Sequence, residues 1–276
     1  MKYALLDYDG YVCKALYAAI SSGDISEAPK ILDELTQSAI DRTHKYFDDL
    51  PVEVIKVMSG HSWKKDVYPT YKAKRKKDPR VKEFRDWVLE NDKDIVRVES
   101  FEADEILVII HDYLCNYDVE DCIVFSDDKD LHYVTLLNCK INTTENIDIR
   151  YDEHKLFCQM LAGDKEDNVE GINKVGMKTA NKLLQEKGDY NLSNVISIYK
   201  EKGISKEECN KQLNLIAPMK REFITSSQHR MLYDIIGKSL LDGEAIDEAL
   251  LNELILGQQK SFAEEVNKIY GKNQDN

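Results

Sequence analysis

Four short apolar or β-branched runs punctuate the first half of this 276-residue chain: Tyr3 to Leu6, Val52 to Met58, Ile95 to Val98 and Cys122 to Phe125, each bounded by polar residues. Strands buried on both faces look like this. Helical periodicity over roughly 27–48, 79–90 and 103–115 alternates with them. Strand and helix in alternation predict an α/β fold with a doubly wound, mostly parallel sheet. From about residue 158 the strand signal disappears, and helical periodicity continues over 204–220 and 227–270. A core of residues 1–157 followed by a helical region, 158–276, is therefore expected.

The carboxylates fall where such a sheet binds ligands, beyond the carboxyl ends of its strands. Asp7 follows the first run. Glu102, Asp104 and Glu105 follow the third and open a helix, and Asp128 and Asp130, in Ser126-Asp127-Asp128-Lys129-Asp130-Leu131, follow the fourth. A further acidic group is Gly163-Asp164-Lys165-Glu166-Asp167-Asn168. So many acids in one crevice repel one another unless hard cations such as Mg²⁺ or Mn²⁺ neutralise them, since oxygen ligands suit those metals. Metal-assisted phosphodiester chemistry is the expectation. Glu102 and Glu105, one turn apart at a helix start, also have a plainer reading as caps in the favourable field of the helix dipole.

A net charge of −13 argues at first against nucleic acid. The average hides a local reversal, because residues 64–82 carry nine Lys/Arg against two Asp, with Tyr68 and Tyr71 interleaved. Such asymmetry points to a polyanion, a solvated helix face being the alternative. Gly171 to Gly176 form a glycine-bounded turn into a helix whose first turn holds Lys178 and Thr179, a place where backbone N–H groups meet phosphate. The six cysteines contain no C-x-x-C pair, the histidines lack zinc-ligand spacing, and no long apolar run or charged leader occurs. These features predict a reduced cytoplasmic protein without membrane span or structural zinc. Trp63 and Trp87 read as packing residues.

YPTYKAKRKK, FEADE, SDDKDL, GDKEDN and GINKVGMKTA, in this order and at this spacing, resemble the 5′-nuclease superfamily. That superfamily comprises flap endonucleases, the 5′-nuclease domain of bacterial DNA polymerase I and bacteriophage 5′–3′ exonucleases. The similarity spans roughly residues 1–190, and LLDYDGYVCKALYAA looks most like the phage branch. The resemblance implies a PIN-like α/β core with a basic arch near 64–100 and a C-terminal helix-hairpin-helix. It implies a structure-specific 5′ nuclease that cleaves DNA with two Mg²⁺ or Mn²⁺ ions. By position, Asp7, Glu102, Asp104 and Asp128 match the first metal site, with Glu105 acting through water, and Asp130, Asp164 and Asp167 match the second. Lys72 and Arg75, in Tyr-Lys-x-x-Arg, match residues that contact the scissile phosphate, and Tyr71 one that stacks on a base. Gly171, Lys174, Gly176, Lys178 and Thr179 fall in the hairpin that grips the duplex backbone and holds a monovalent cation such as K⁺. The implied partner is DNA with 5′ ends, flaps or single-strand/duplex junctions, bound by a monomer in a bacterial or phage-infected cell.

Three departures stand out. Ser59 occupies a position where the family usually places an Asp, and a hydroxyl is a far weaker Mg²⁺ ligand than a carboxylate. The first site is expected either to bind metal less tightly or to be compensated by Asp9. Lys174 replaces a usual glycine, and the segment from Lys72 to Glu102 is somewhat short for an arch. Two other readings follow: a branched-DNA-binding protein of the same fold with weak or no catalysis, and a haloacid-dehalogenase-like phosphatase in which Asp7 is the nucleophile and Asp9 the general acid.

Overall fold

The computed structural model describes residues 2–76, 78–116, 122–128, 131, 136–137, 149–150 and 153–271. In chain order the N-terminal part runs β1 (Lys2–Asp7), α1 (Tyr8–Ser22), α2 (Ala28–Tyr46), β2 (Val52–Ser59), α3 (Trp63–Val67), α4 (Pro79–Asn91), β3 (Ile95–Val98), α5 (Ala103–Asn116) and β4 (Cys122–Phe125). Two short strands follow, β5 (Leu136–Leu137) and β6 (Ile149–Arg150). The remainder is α6 (Glu153–Ala162), β7 (Gly163–Asp164), β8 (Val169–Glu170), α7 (Met177–Lys187), α8 (Leu192–Glu201), α9 (Lys206–Ile216), α10 (Ser227–Leu241) and α11 (Glu248–Gly271).

The sheet order is β3-β2-β1-β4-β5-β6, with every pairing parallel except β5 against β6. Connections from β1 to β2 to β3 step outward on one side, and the chain then returns to place β4 on the other side of β1. The strand order therefore reverses between β1 and β4, the switch point where doubly wound sheets open a crevice at their carboxyl ends. The expectation of a doubly wound α/β sheet is met, and its physical cause is visible in β1: Ala4, Leu5 and Leu6 are all fully buried, because both faces of the strand are covered. Ala4 and Leu6 join Tyr8, Val12, Leu32, Met58, Val88 and Phe125 in one core cluster beneath α1, α2 and α4. On the sheet, α5 packs against β1, β2 and β4, with Ile106, Leu107, Ile109 and Ile110 fully buried.

The chain groups into two units, one formed by Met1–Ser62, Lys76–Tyr151 and Gly237–Ile246, the other by Trp63–Arg75, Asp152–Ile236 and Asp247–Asn276. The basic segment 63–75 thus groups with the helical remainder. The long periodic stretch expected over 227–270 is divided into α10 and α11, and the loss of strand signal after about 158 holds among the described residues apart from the two-residue pair β7 and β8. Among the described residues no helix is long and apolar enough to cross a membrane.

Candidate metal centre and basic segment

Asp7 closes β1 at the switch point. Its Oδ2 accepts a hydrogen bond from Ser126 Oγ at 2.6 Å, Ser126 being the first residue after β4. Ser126 Oγ in turn accepts the Asp128 N–H at 3.0 Å, which sets the turn carrying Asp128 beside Asp7. Burial pushes the Asp7 carboxyl up to about 6; the Ser126 hydroxyl and the Gly10 N–H offset part of this, while the charges of Asp9 and Asp128 add to it. A half-buried carboxylate with acids around it is a place that favours a cation. Ser126 escaped the sequence reading, although it stands inside the quoted acidic motif; nothing in a sequence says that a serine one strand away will meet an aspartate 119 positions earlier.

Ser59 ends β2, and its hydroxyl is used within the fold. Its Oγ accepts the Ala103 N–H at 3.0 Å, satisfying one of the unpaired donors at the start of α5. Glu105, three residues into that helix start, reaches back to the Glu102 N–H at 3.2 Å, the reciprocal bond of a capping box. Asp104 accepts the Glu105 N–H at 2.9 Å. The capping reading of the Glu102/Glu105 pair is thus realised, with Glu102 and Glu105 both buried.

Asp9, the acid expected to compensate at Ser59, is engaged through both of its oxygens. Its Oδ2 accepts the Ser59 N–H at 2.7 Å and its Oδ1 accepts Arg85 Nε at 2.8 Å. The same engagement speaks against Asp9 as the general acid of a phosphatase, since both of its carboxylate oxygens already accept hydrogen bonds from the protein.

The donor chemistry of Asp7, Glu102, Asp104, Glu105 and Asp128 fits a hard divalent ion, being oxygen throughout. Among the described residues, however, no three His, Cys, Asp or Glu side chains are gathered closely enough to hold one. Glu105 and Asp104 turn onto helix N–H groups, and Asp130 lies outside the described residues.

In the second unit, Asp167 is the acceptor around which the basic segment is wrapped. Tyr71 Oη donates to its Oδ2 at 3.1 Å, Lys72 Nζ lies 3.6 Å from the same oxygen, and the Arg75 guanidinium pairs with Oδ1. The backbone repeats the connection, with Lys72 N–H bonded to Asp167 O at 2.8 Å and Asn168 Nδ2 to Thr70 O at 2.9 Å. Tyr71, expected to stack on a base, is instead 4% exposed and packed on Val169 and Leu215, with the Lys72 ammonium 5.0 Å from its ring centre. An amphipathic ring beside an apolar surface buries its body and bonds its hydroxyl, and here the protein supplies both partners. Asp164 is also engaged, Oδ1 accepting the Glu166 N–H at 2.7 Å and Oδ2 the Gln159 amide at 3.2 Å.

The turn from Gly171 to Gly176 joins β8 to α7. A Cβ on Gly171 would stand 2.1 Å from Ala162 C, so only glycine fits there. Lys174 adopts φ 61°, in the left-handed region, which is the physical reason a glycine suits that position. Gly176 caps α7 without a side-chain bond, and Lys178 and Thr179 are exposed in its first turn.

No family model matches the chain. It is 26% identical to the flap endonuclease Xni of Aeromonas hydrophila over 159 residues, covering 50% of this chain and 58% of that protein. It is 26% identical to DNA polymerase I of Rhizobium leguminosarum over 212 residues, covering 67% of this chain and 20% of the polymerase. The chain therefore spans less than two thirds of the length of these relatives. Its fold is similar to that of the bacteriophage T5 D15 protein, co-crystallised with metal ions, at a TM-score of 0.57 and 15% identity, over 98% of this chain and 99% of the other. The T5 5′-exonuclease superposes with a TM-score of 0.55 at 13% identity, over 96% of this chain and 100% of the other. The sheet with its strand-end acids defines an α/β fold of the T5 exonuclease type. Its sequence relatives are a flap endonuclease and DNA polymerase I, and its fold is similar to that of the T5 5′-exonuclease.

Proposed function

We propose that this protein is a divalent-metal-dependent 5′ nuclease that hydrolyses DNA phosphodiesters near a 5′ end, a flap or a single-strand/duplex junction. The observation that carries the reading is the half-buried Asp7 carboxylate at the strand-order switch point, bonded to Ser126 and flanked by Asp9 and Asp128. Asp7, Glu102, Asp104 and Asp128 would hold the first Mg²⁺ or Mn²⁺, with Glu105 acting through water. The resemblance in sequence assigns a second ion to Asp130, Asp164 and Asp167. Bound ions of this kind activate water and stabilise a leaving oxygen. Lys72 and Arg75 would offset charge on the phosphate undergoing attack. The start of α7, with Gly171, Lys174, Gly176, Lys178 and Thr179, would bind duplex backbone, with K⁺ held by carbonyls of the turn. Contacts to phosphate recognise shape and not sequence. The name of the Aeromonas relative and the T5 D15 flap endonuclease complex with DNA and metal ions support this reading.

End-labelled flap, nicked and blunt DNA incubated with Mg²⁺ or Mn²⁺ tests it. Cleavage that chelation abolishes is expected, and metal-independent cleavage would sink the proposal. A second reading, a branched-DNA binder with weak catalysis, is favoured by Ser59, whose hydroxyl is committed to α5. Selective binding of flap DNA with no cleavage in either metal would decide for it.

A further inference from the structure

We propose that Arg85 and Asp9 are positioning residues for the metal-binding acids, forming with Ser59 a clamp that takes the place of a carboxylate at the end of β2. The proposal rests on the metal-dependent reading above. Every polar group of Ser59 is a cross-link: its N–H goes to Asp9 Oδ2 at 2.7 Å, its Oγ accepts Ala103 N–H at 3.0 Å, and its carbonyl accepts from the Arg85 guanidinium and from Arg97 Nε at 3.2 Å. Arg85 closes the ring through Nε to Asp9 Oδ1 at 2.8 Å. One network thus joins the start of α1, two residues past Asp7, to the end of β2 and to the start of α5, which bears Asp104 and Glu105.

The adjoining backbone is pressed into the same place. Gly60 N–H bonds to Phe101 O at 2.7 Å, and a Cβ on Gly60 would stand 2.0 Å from Val98 O and 2.5 Å from Glu99 O. The turn after β2 is therefore seated on the loop that leads to Glu102. Arg85 is about a quarter exposed and Asp9 similarly, so the pair is shielded enough to hold geometry. A planar guanidinium that spans a carboxylate and a carbonyl fixes both in direction, which an ammonium cannot do. Residues that orient metal ligands without touching the metal commonly change affinity ten- to a hundredfold when removed.

The test is Mn²⁺ titration of the full chain, followed by ion-bound spin resonance and by the shift in melting temperature, so that no readout depends on cleavage. Arg85→Met is expected to weaken Mn²⁺ binding about tenfold and Arg85→Lys by an intermediate factor, while Asp9→Asn in the Arg85→Met background adds nothing further. Should Arg85→Met fail to fold, Arg85→Lys carries the measurement. Unchanged Mn²⁺ affinity with a lowered melting temperature would show a merely structural pair and overturn the clamp. If Asp9→Asn alone abolished binding while Arg85→Lys left it intact, Asp9 would be a ligand and the clamp would again be wrong. A wild type that binds no Mn²⁺ would overturn the metal-dependent reading itself, which separates that failure from the other two.

Discussion

Ser126 Oγ donates to Asp7 Oδ2 at 2.6 Å across the two strands between which the sheet order reverses. The contact holds a carboxyl whose native value, about 6, lies above its ordinary 3.8 because burial disfavours its charge. A raised acid binds its proton more tightly in the folded chain. Its contribution to stability is complete below about pH 4 and is lost as pH rises through about 6. In chelator, the stability of the wild type relative to Asp7→Asn should therefore fall across that window, measured by denaturant titration. Mn²⁺ at neutral pH should raise the melting temperature of the wild type and leave that of Asp7→Asn unmoved.

Asp128→Ala and Asp104→Ala should each lower cleavage by orders of magnitude while binding to flap DNA survives, because loss of a core ligand removes both roles of the ion. Single-turnover cleavage and a gel-shift on the same substrate check this. Full activity in Asp128→Ala would contradict the nuclease reading.

Replacing Ser59 separates its two possible burdens. Ser59→Ala leaves the Ala103 N–H without its acceptor and should cost about 1 kcal/mol of stability. Ser59→Asp keeps an acceptor and adds an anionic oxygen, so the Mg²⁺ concentration for half-maximal cleavage should fall. A rise in that concentration would mean that the added acid crowds Asp7.

Asp167→Ala removes the acceptor shared by Tyr71, Lys72 and Arg75. Stability should drop by about 2 kcal/mol, since bonds to a charged group are lost and the Tyr71 hydroxyl loses its carboxylate acceptor. Equilibrium unfolding of Asp167→Ala against Asp167→Asn, which retains an acceptor for the hydroxyl, gives the comparison.

Lys174→Gly relieves a left-handed backbone that a side chain resists and should stabilise the chain by up to about 1 kcal/mol. If Lys174 meets phosphate, the same change should reduce the salt dependence of duplex binding by about one unit of slope. An unchanged slope would place the lysine outside the DNA contact.

The strands and first helices were legible in the sequence because each is a local pattern. Val52 to Met58 and Ile95 to Val98 read as buried runs, and the observed strands are Val52–Ser59 and Ile95–Val98. The acids at strand ends were legible for the same reason, position after a run being a matter of order along the chain. Partners were not. That Tyr71 would be buried on Val169 and Leu215, that Ser126 would meet Asp7, and that Arg85 would pair with Asp9 are choices among distant residues. Sequence alone determined which elements form and which residue types stand at their ends, since propensity and periodicity act over a few positions. Only tertiary structure decided which charges are paired, because pairing depends on close approach between segments, and the departure at Ser59 acquires its meaning from the helix start that packs against it.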